Sequence, residues 1–215
     1  MNPDAKTSAR SAACGTLAAL LSLLAPIMVL AACAPESSAP VDPPLAGSSI
    51  GGPFELVNSA GETVRWGDFA GQYRVVYFGF AYCPDICPTD MQRIAQGMKA
   101  LEESNPELAA RVQPIFITVD PARDTPDVVG EFTSAFSDDI IGLTGTQEQV
   151  DKAVDEFAVY AARGEGTPDG GYLMEHSRIT YLFGPEGEPL APLPTDQPGR
   201  EGAQAFAAEI RKWAN

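Results

Sequence analysis

The stretch FGFAYCPDICPTDM, residues 78–91, sets two thiols, Cys83 and Cys87, with three residues between them, where an apolar run meets a helical pattern. Such a pair can be a structural disulfide, a redox couple or a clamp for a soft metal ion. As a staple it is weak, because a bridge across so short a loop removes little chain entropy. A domain of this size has core enough without it. At a helix N-terminus the thiolate is stabilised by unpaired N–H groups and the helix dipole. Thiolate is both nucleophile and metal ligand, so the redox and metal readings begin from the same local physics. Spacing separates them in part. Dithiol oxidoreductases carry C-x-x-C. Here the pair is C-x-x-x-C, with Pro84 and Pro88 stiffening the turn, a wider arrangement that suits two sulfurs facing one ion and still permits a disulfide.

The chain holds four cysteines and one histidine. Cys14 and Cys33 belong to the N-terminal region, so Cys83 and Cys87 are the thiols of the domain. By type alone a lone histidine is more often a surface or satisfied core residue than a ligand. The context of His176 improves its standing: RGEGTPDGGYLMEH (163–176) reads as a Gly-rich loop that ends at His176 and runs into a strand, and loops held by a sheet commonly carry function. If that strand lies beside the end of the Cys strand, two thiolates and an imidazole converge. That set suits Cu(I), Cu(II) or Zn(II), and softness favours copper. Zinc would want a fourth protein ligand or an open catalytic position, and no further His or Cys remains to complete one. Met174 reads as packing, and Glu175 as surface charge or as a carboxylate that orients His176.

The elements that must position these residues follow from periodicity. FELVNSAGETVRW (54–66) is a hairpin signal around an Asn-Ser-Ala-Gly turn. RVVYFGFAY (74–82) reads as a buried central strand. Met91, Ile94, Ala95, Met98 and Leu101 form the stripe of a helix, with Pro88 in its first turn. RVQPIFITVD (111–120) is a second buried strand, with pairing expected only after Pro114. A short helix capped by Asp124 or Thr125 follows, then a strand, a helix opened by the Thr146–Gln149 capping box, two strands and a last helix ending near Trp213. This alternation, with two cysteines where a central strand meets a helix, predicts an α/β, thioredoxin-like three-layer sandwich with a mixed central sheet and an N-terminal β-hairpin.

Before the domain, a polar start with Lys6 and Arg10 precedes an uncharged apolar run closing at Leu30-Ala31-Ala32-Cys33. This is the layout of a secretory signal. The L-A-A-C ending resembles the bacterial lipoprotein cleavage box. Residues 1–32 are therefore expected to be a lipoprotein-type signal with Cys33 lipidated; the alternative is an uncleaved membrane anchor. Residues 34–52, rich in Pro, Ser, Gly and Ala, are expected to form a flexible tether, and 53–215 the folded domain. The formal net charge of −15, with no basic patch, excludes nucleic acid as a natural partner.

YCPDICP, VDPARDTP and the single histidine in YLMEHSRITYLFGPEGE, in this order over about residues 53–215, resemble the Sco/SenC family. The resemblance implies a membrane-tethered, thioredoxin-fold copper metallochaperone with Cys83, Cys87 and His176 as its copper ligands. It also implies as acceptor the copper-bearing subunit of cytochrome c oxidase or another periplasmic copper protein, and a place in the bacterial cell envelope. One departure is Glu175, where the family typically has Asp before the histidine; the longer side chain moves the carboxylate. The competing function is enzymatic, a thiol–disulfide reductase that uses Cys83 and Cys87 alone on the cysteines of the acceptor site. A peroxide-reducing relative and a copper or redox sensor are further alternatives.

Overall fold

The computed structural model describes residues 41–166 and 170–214. Strand β3 (Tyr73–Gly79) is buried at every position, as its apolar run requires of a central strand. β4 (Val112–Thr118) lies parallel to it from Tyr73↔Val112 to Gly79↔Thr118, and β5 (Ile141–Thr144) extends the parallel set. Antiparallel strands close both sides. The hairpin of β1 (Glu55–Asn58) and β2 (Thr63–Arg65) joins β5, while β8 (Thr180–Phe183) and β9 (Pro189–Leu193) join β3. The result is a seven-stranded mixed sheet in the order β2-β1-β5-β4-β3-β8-β9.

Helices cover both faces. Tyr77 and Phe116 are paired across β3 and β4 and point to one side. There the Tyr77 hydroxyl reaches Asp90 of α1 (Ile86–Ser104), and the Phe116 ring lies 5.1 Å from Phe132 of α3 (Pro126–Ser134). The helix α5 (Gly199–Trp213) packs on α1 so closely that a Cβ on Gly97 would overlap the Phe206 side chain. On the opposite face Phe78 meets Phe157, the C-cap of α4 (Gln147–Glu156), at 5.4 Å. The thioredoxin-like three-layer arrangement with an N-terminal hairpin is the one expected. The short α2 (Pro106–Ala109) completes the helices.

Three expectations are corrected. Pro114 lies inside β4, opposite Val75, because β5 pairs only from Ile115 onward and no ladder bond on that side is lost. The compact unit begins at Asp42 rather than Pro53. Its first residues are held to the domain by Leu45 N–H to the Leu190 carbonyl (3.0 Å) and Gly51 N–H to the Glu156 carbonyl (2.7 Å). The supposed Gly-rich loop is a hairpin of β6 (Ala161–Gly166) and β7 (Tyr172–His176), a two-stranded sheet of its own. Signal residues 1–32, Cys33 and the start of the tether lie outside the described residues. Among those described, no helix is long and apolar enough to cross a membrane.

A sharp exit from α4 launches that hairpin. Ala158 takes φ 51°, with Val159 N–H bonded to the Val154 carbonyl and Ala158 N–H to that of Asp155. This is a Schellman ending, with alanine in the left-handed position that glycine usually fills.

Candidate metal centre

The thiols sit where the carboxyl end of β3 turns into α1. The turn is closed by Cys83 N–H to the Phe80 carbonyl (3.3 Å) and anchored by Asp124, whose Oδ2 accepts from Ala81 N–H (2.9 Å) and the Thr118 hydroxyl (2.6 Å). Asp124 is fully buried, and burial raises its pKa. The cap of α3 is Thr125, which leaves Asp124 to hold the cysteine loop. Asp85, the N-cap of α1, makes no capping bond with its side chain. Instead Cys83 Sγ accepts the Cys87 N–H at 3.3 Å, so a sulfur satisfies one of the orphan donors of the helix start.

Both cysteines are free thiols, Cys87 buried and Cys83 half-buried. They titrate apart. The hydrogen bond from the Cys87 thiol outweighs burial and, with help from the backbone N–H groups of Cys87 and Asp85, holds Cys83 down at about 3. The same bond, reinforced by burial, pushes Cys87 up. Gly79 makes room for that sulfur: a Cβ there would lie 3.2 Å from Cys87 Sγ and 2.9 Å from the Tyr77 ring.

His176, the last residue of β7, comes to this pair from 89 positions away, with Nε2 3.2 Å from Cys87 Sγ. Its Nδ1 lies 2.9 Å from the Ser177 carbonyl. A carbonyl only accepts, so Nδ1 carries the proton and Nε2 turns a lone pair toward the thiol. The ring is packed edge-on against Phe80 and Tyr77, at 5.8 and 6.3 Å between centroids. Its backbone is fixed by the Ala161↔His176 pairing and by two bonds between Tyr160 and Ser177, at 2.9 and 3.0 Å. Among the described residues no three His, Cys, Asp or Glu side chains form a ready-made cage for an ion. Cys87 and His176 instead stand in contact with each other, and an ion must displace that contact and the Cys87 thiol proton to enter. Two sulfurs and an imidazole nitrogen with its lone pair free form a donor set that fits a soft ion such as copper. Glu175 is exposed, with the Tyr160 hydroxyl 3.4 Å away, and Met174 packs partly buried against the core.

Several supporting residues escape reasoning from sequence. Asp90, fully buried on α1, accepts from Tyr77 (3.1 Å) and from two nitrogens of Arg178 (3.0 and 3.2 Å), a bond that raises the Arg178 pKa. Tyr172 bonds Asp120 through its hydroxyl (2.7 Å) while Arg123, paired with Asp120 as its sequence neighbourhood suggests, stacks on its ring at 3.7 Å. The VDPARDTP loop thus secures the far end of the hairpin. A carboxylate on the apolar stripe of α1 was the one visible signal. The cleft above the thiols, about 390 Å³, is lined by Phe80, Cys83, Ile86, Tyr160, Leu173 and His176.

The split between the thiols has a kinetic consequence. The thiolate is the species that alkylates, and at Cys83 it is already formed well below neutral pH. Iodoacetamide should therefore label Cys83 at nearly the same rate at about pH 5 and about pH 8. An ordinary thiol slows about tenfold per unit below a pKa of about 8.5. Cys87→Ala removes the main hydrogen-bond donor to Cys83 and should restore that steep dependence. Identical pH profiles for the two proteins would refute the assignment.

Comparison with known proteins agrees with the fold. The SCO1/SenC family model matches residues 43–215. The chain is 46% identical to protein SenC of Rhodobacter capsulatus over 142 residues, 66% of this chain and 62% of that one. It is 35% identical to the human protein SCO1 homolog, mitochondrial, over 166 residues, 76% of this chain and 54% of that one. The chain thus spans only about half the length of the human relative. The solved structure of Bradyrhizobium japonicum ScoI with copper bound superposes with a TM-score of 0.67 at 32% identity, covering 76% of this chain and 99% of that one.

Proposed function

This chain belongs to the SCO1/SenC family, and from that premise we propose that it is a copper metallochaperone, binding copper as cargo through Cys83, Cys87 and His176 for delivery to the copper site of cytochrome c oxidase. The observation that carries the reading is the approach of His176 Nε2 to 3.2 Å from Cys87 Sγ, with Nδ1 committed to a backbone carbonyl. A reductase needs the two thiols alone. A metal site needs an imidazole whose free lone pair is aimed at them. Cys83 supplies a thiolate at neutral pH; Cys87 gives up its proton as the ion enters, so uptake releases protons. The copper-bound relative on the same fold supports copper as the ion. Lipidation at Cys33 would hold the domain, residues 42–215, at the membrane of the bacterial cell envelope, with residues 34–41 as the tether. The exposed side chains of Tyr160 and Leu173 line the cleft where an acceptor would exchange ligands.

The test is an anaerobic Cu(I) competition titration of the reduced protein beside His176→Ala. One tightly bound copper per chain is expected, weakened by about tenfold or more without the imidazole. Binding that ignores His176, with reduction of an acceptor dithiol retained, would transfer the assignment to the reductase.

A further inference from the structure

We propose that Arg178 is a positioning residue for His176, acting through the buried carboxylate of Asp90; the proposal rests on the copper-site reading above. Asp90 lies one helical turn after Cys87 and is fully buried. A buried carboxylate is tolerated when it is paired and its oxygens are hydrogen-bonded. Here the partners come from the elements that build the site: Tyr77 on β3, Arg93 on α1 at 3.6 Å, and Arg178 on the segment that follows β7. Arg178 presents its planar fork to both carboxylate oxygens, the geometry that makes arginine more than a point charge.

The position of this clamp gives it its role. His176 ends a hairpin that is not paired to the main sheet, and residues 177–179 belong to no strand. Two polar ties join this segment to α1. One is the contact of His176 with Cys87, which a metal ion must displace. The other is Arg178 to Asp90, two residues further on and clear of the three donors. When the first is exchanged for coordination, the second still sets where the hairpin end lies relative to the cysteine helix. Tyr77, whose hydroxyl sits on the same carboxylate, also meets the imidazole with its ring. Asp90 therefore fixes both the strand-side wall of the ring and the chain that carries it.

The chain has one histidine, so its imidazole can be followed in the full-length protein without overlap. Imidazole ¹⁵N shifts would be recorded for the reduced, metal-free protein, for Arg178→Ala and for Arg178→Lys, followed by Cu(I) competition on each. The parent should show the Nδ1–H tautomer. Arg178→Ala should shift toward the mixed tautomers of a free imidazole and bind Cu(I) about 10- to 100-fold more weakly, the range for loss of an outer-shell partner. Arg178→Lys, with charge but no fork, should fall between. The pair Asp90→Asn with Arg178→Met removes both charges and leaves no unpaired carboxylate; it should show the same imidazole shift if clamping, rather than a stranded charge, is the cause. An unchanged imidazole spectrum, or a shifted one with parent copper affinity, would overturn the proposal. Copper binding that ignores His176→Ala in the parent would instead overturn the copper-site reading, and the imidazole shifts would still report on the clamp.

Discussion

Cys87→Ser is expected to weaken Cu(I) binding by more than about a hundredfold while leaving Cys83 as reactive as before. The two outcomes separate because Cys87 does two things. Its sulfur is the atom that touches His176 Nε2, and its thiol donates the hydrogen bond that lowers the Cys83 pKa. Serine keeps a donor of nearly the same reach and loses the soft ligand. A hydroxyl is a poor partner for Cu(I), and losing even an outer-shell partner commonly costs a metal site 10- to 100-fold, so loss of a central ligand should exceed that range. Cys83 should still alkylate near pH 5, since the hydroxyl continues to support its thiolate. Cys87→Ala should lose both copper and the acid-range reactivity. Copper affinity within about tenfold of the parent in the serine variant would remove Cys87 from the ligand set.

The parts of this site that were legible in the sequence are the local ones. An apolar β-branched run, a proline in the first helical turn and the stripe from Met91 to Leu101 place Cys83 in a loop and Cys87 at a helix start with no reference to distant residues. Thr146 and Gln149 announce α4 by the same local logic. What stayed hidden depends on pairing. His176 approaches Cys87 because β8 runs antiparallel to β3, with Thr180 opposite Tyr77, and because Ala161 pairs with His176 itself. The glycines around 164–171 look like a loop, and only the partner strand reveals a hairpin. Asp124 illustrates competition between neighbours. Thr125 takes the extended backbone of an N-cap (φ −65°, ψ 167°), so the adjacent carboxylate turns inward to the cysteine loop. Asp90 was visible as a charge on an apolar helix face, yet its partner stands 88 residues away, and spacing along the chain says nothing of that distance.

Phe157→Ala should destabilise the protein by about 3–5 kcal/mol, the range for removing a fully buried phenylalanine. Its ring, 0% exposed, is the centre of an aromatic cluster, with centroids 5.2 Å from Trp66, 5.3 Å from Phe183, 5.4 Å from Phe78 and 6.2 Å from Phe54. Trp66 is further held by the buried Arg74 guanidinium 4.4 Å above its ring. Phe78 and Phe183 stand on central strands that are hydrogen-bonded to each other's sheet. Walls so constrained cannot collapse into the vacancy, which is the condition under which the cavity penalty is paid in full. For a chain of this size the thermal midpoint should fall on the order of 10 °C, and Phe157→Leu should recover part of it by refilling volume. The cluster lies on the face of β3 away from Tyr77 and Cys87, so copper affinity measured well below the lowered midpoint should match the parent. A loss under about 1 kcal/mol would mean that the neighbouring rings close over the gap. Full-size destabilisation with lost copper binding would mean that the two faces of β3 are coupled through the strand that carries both.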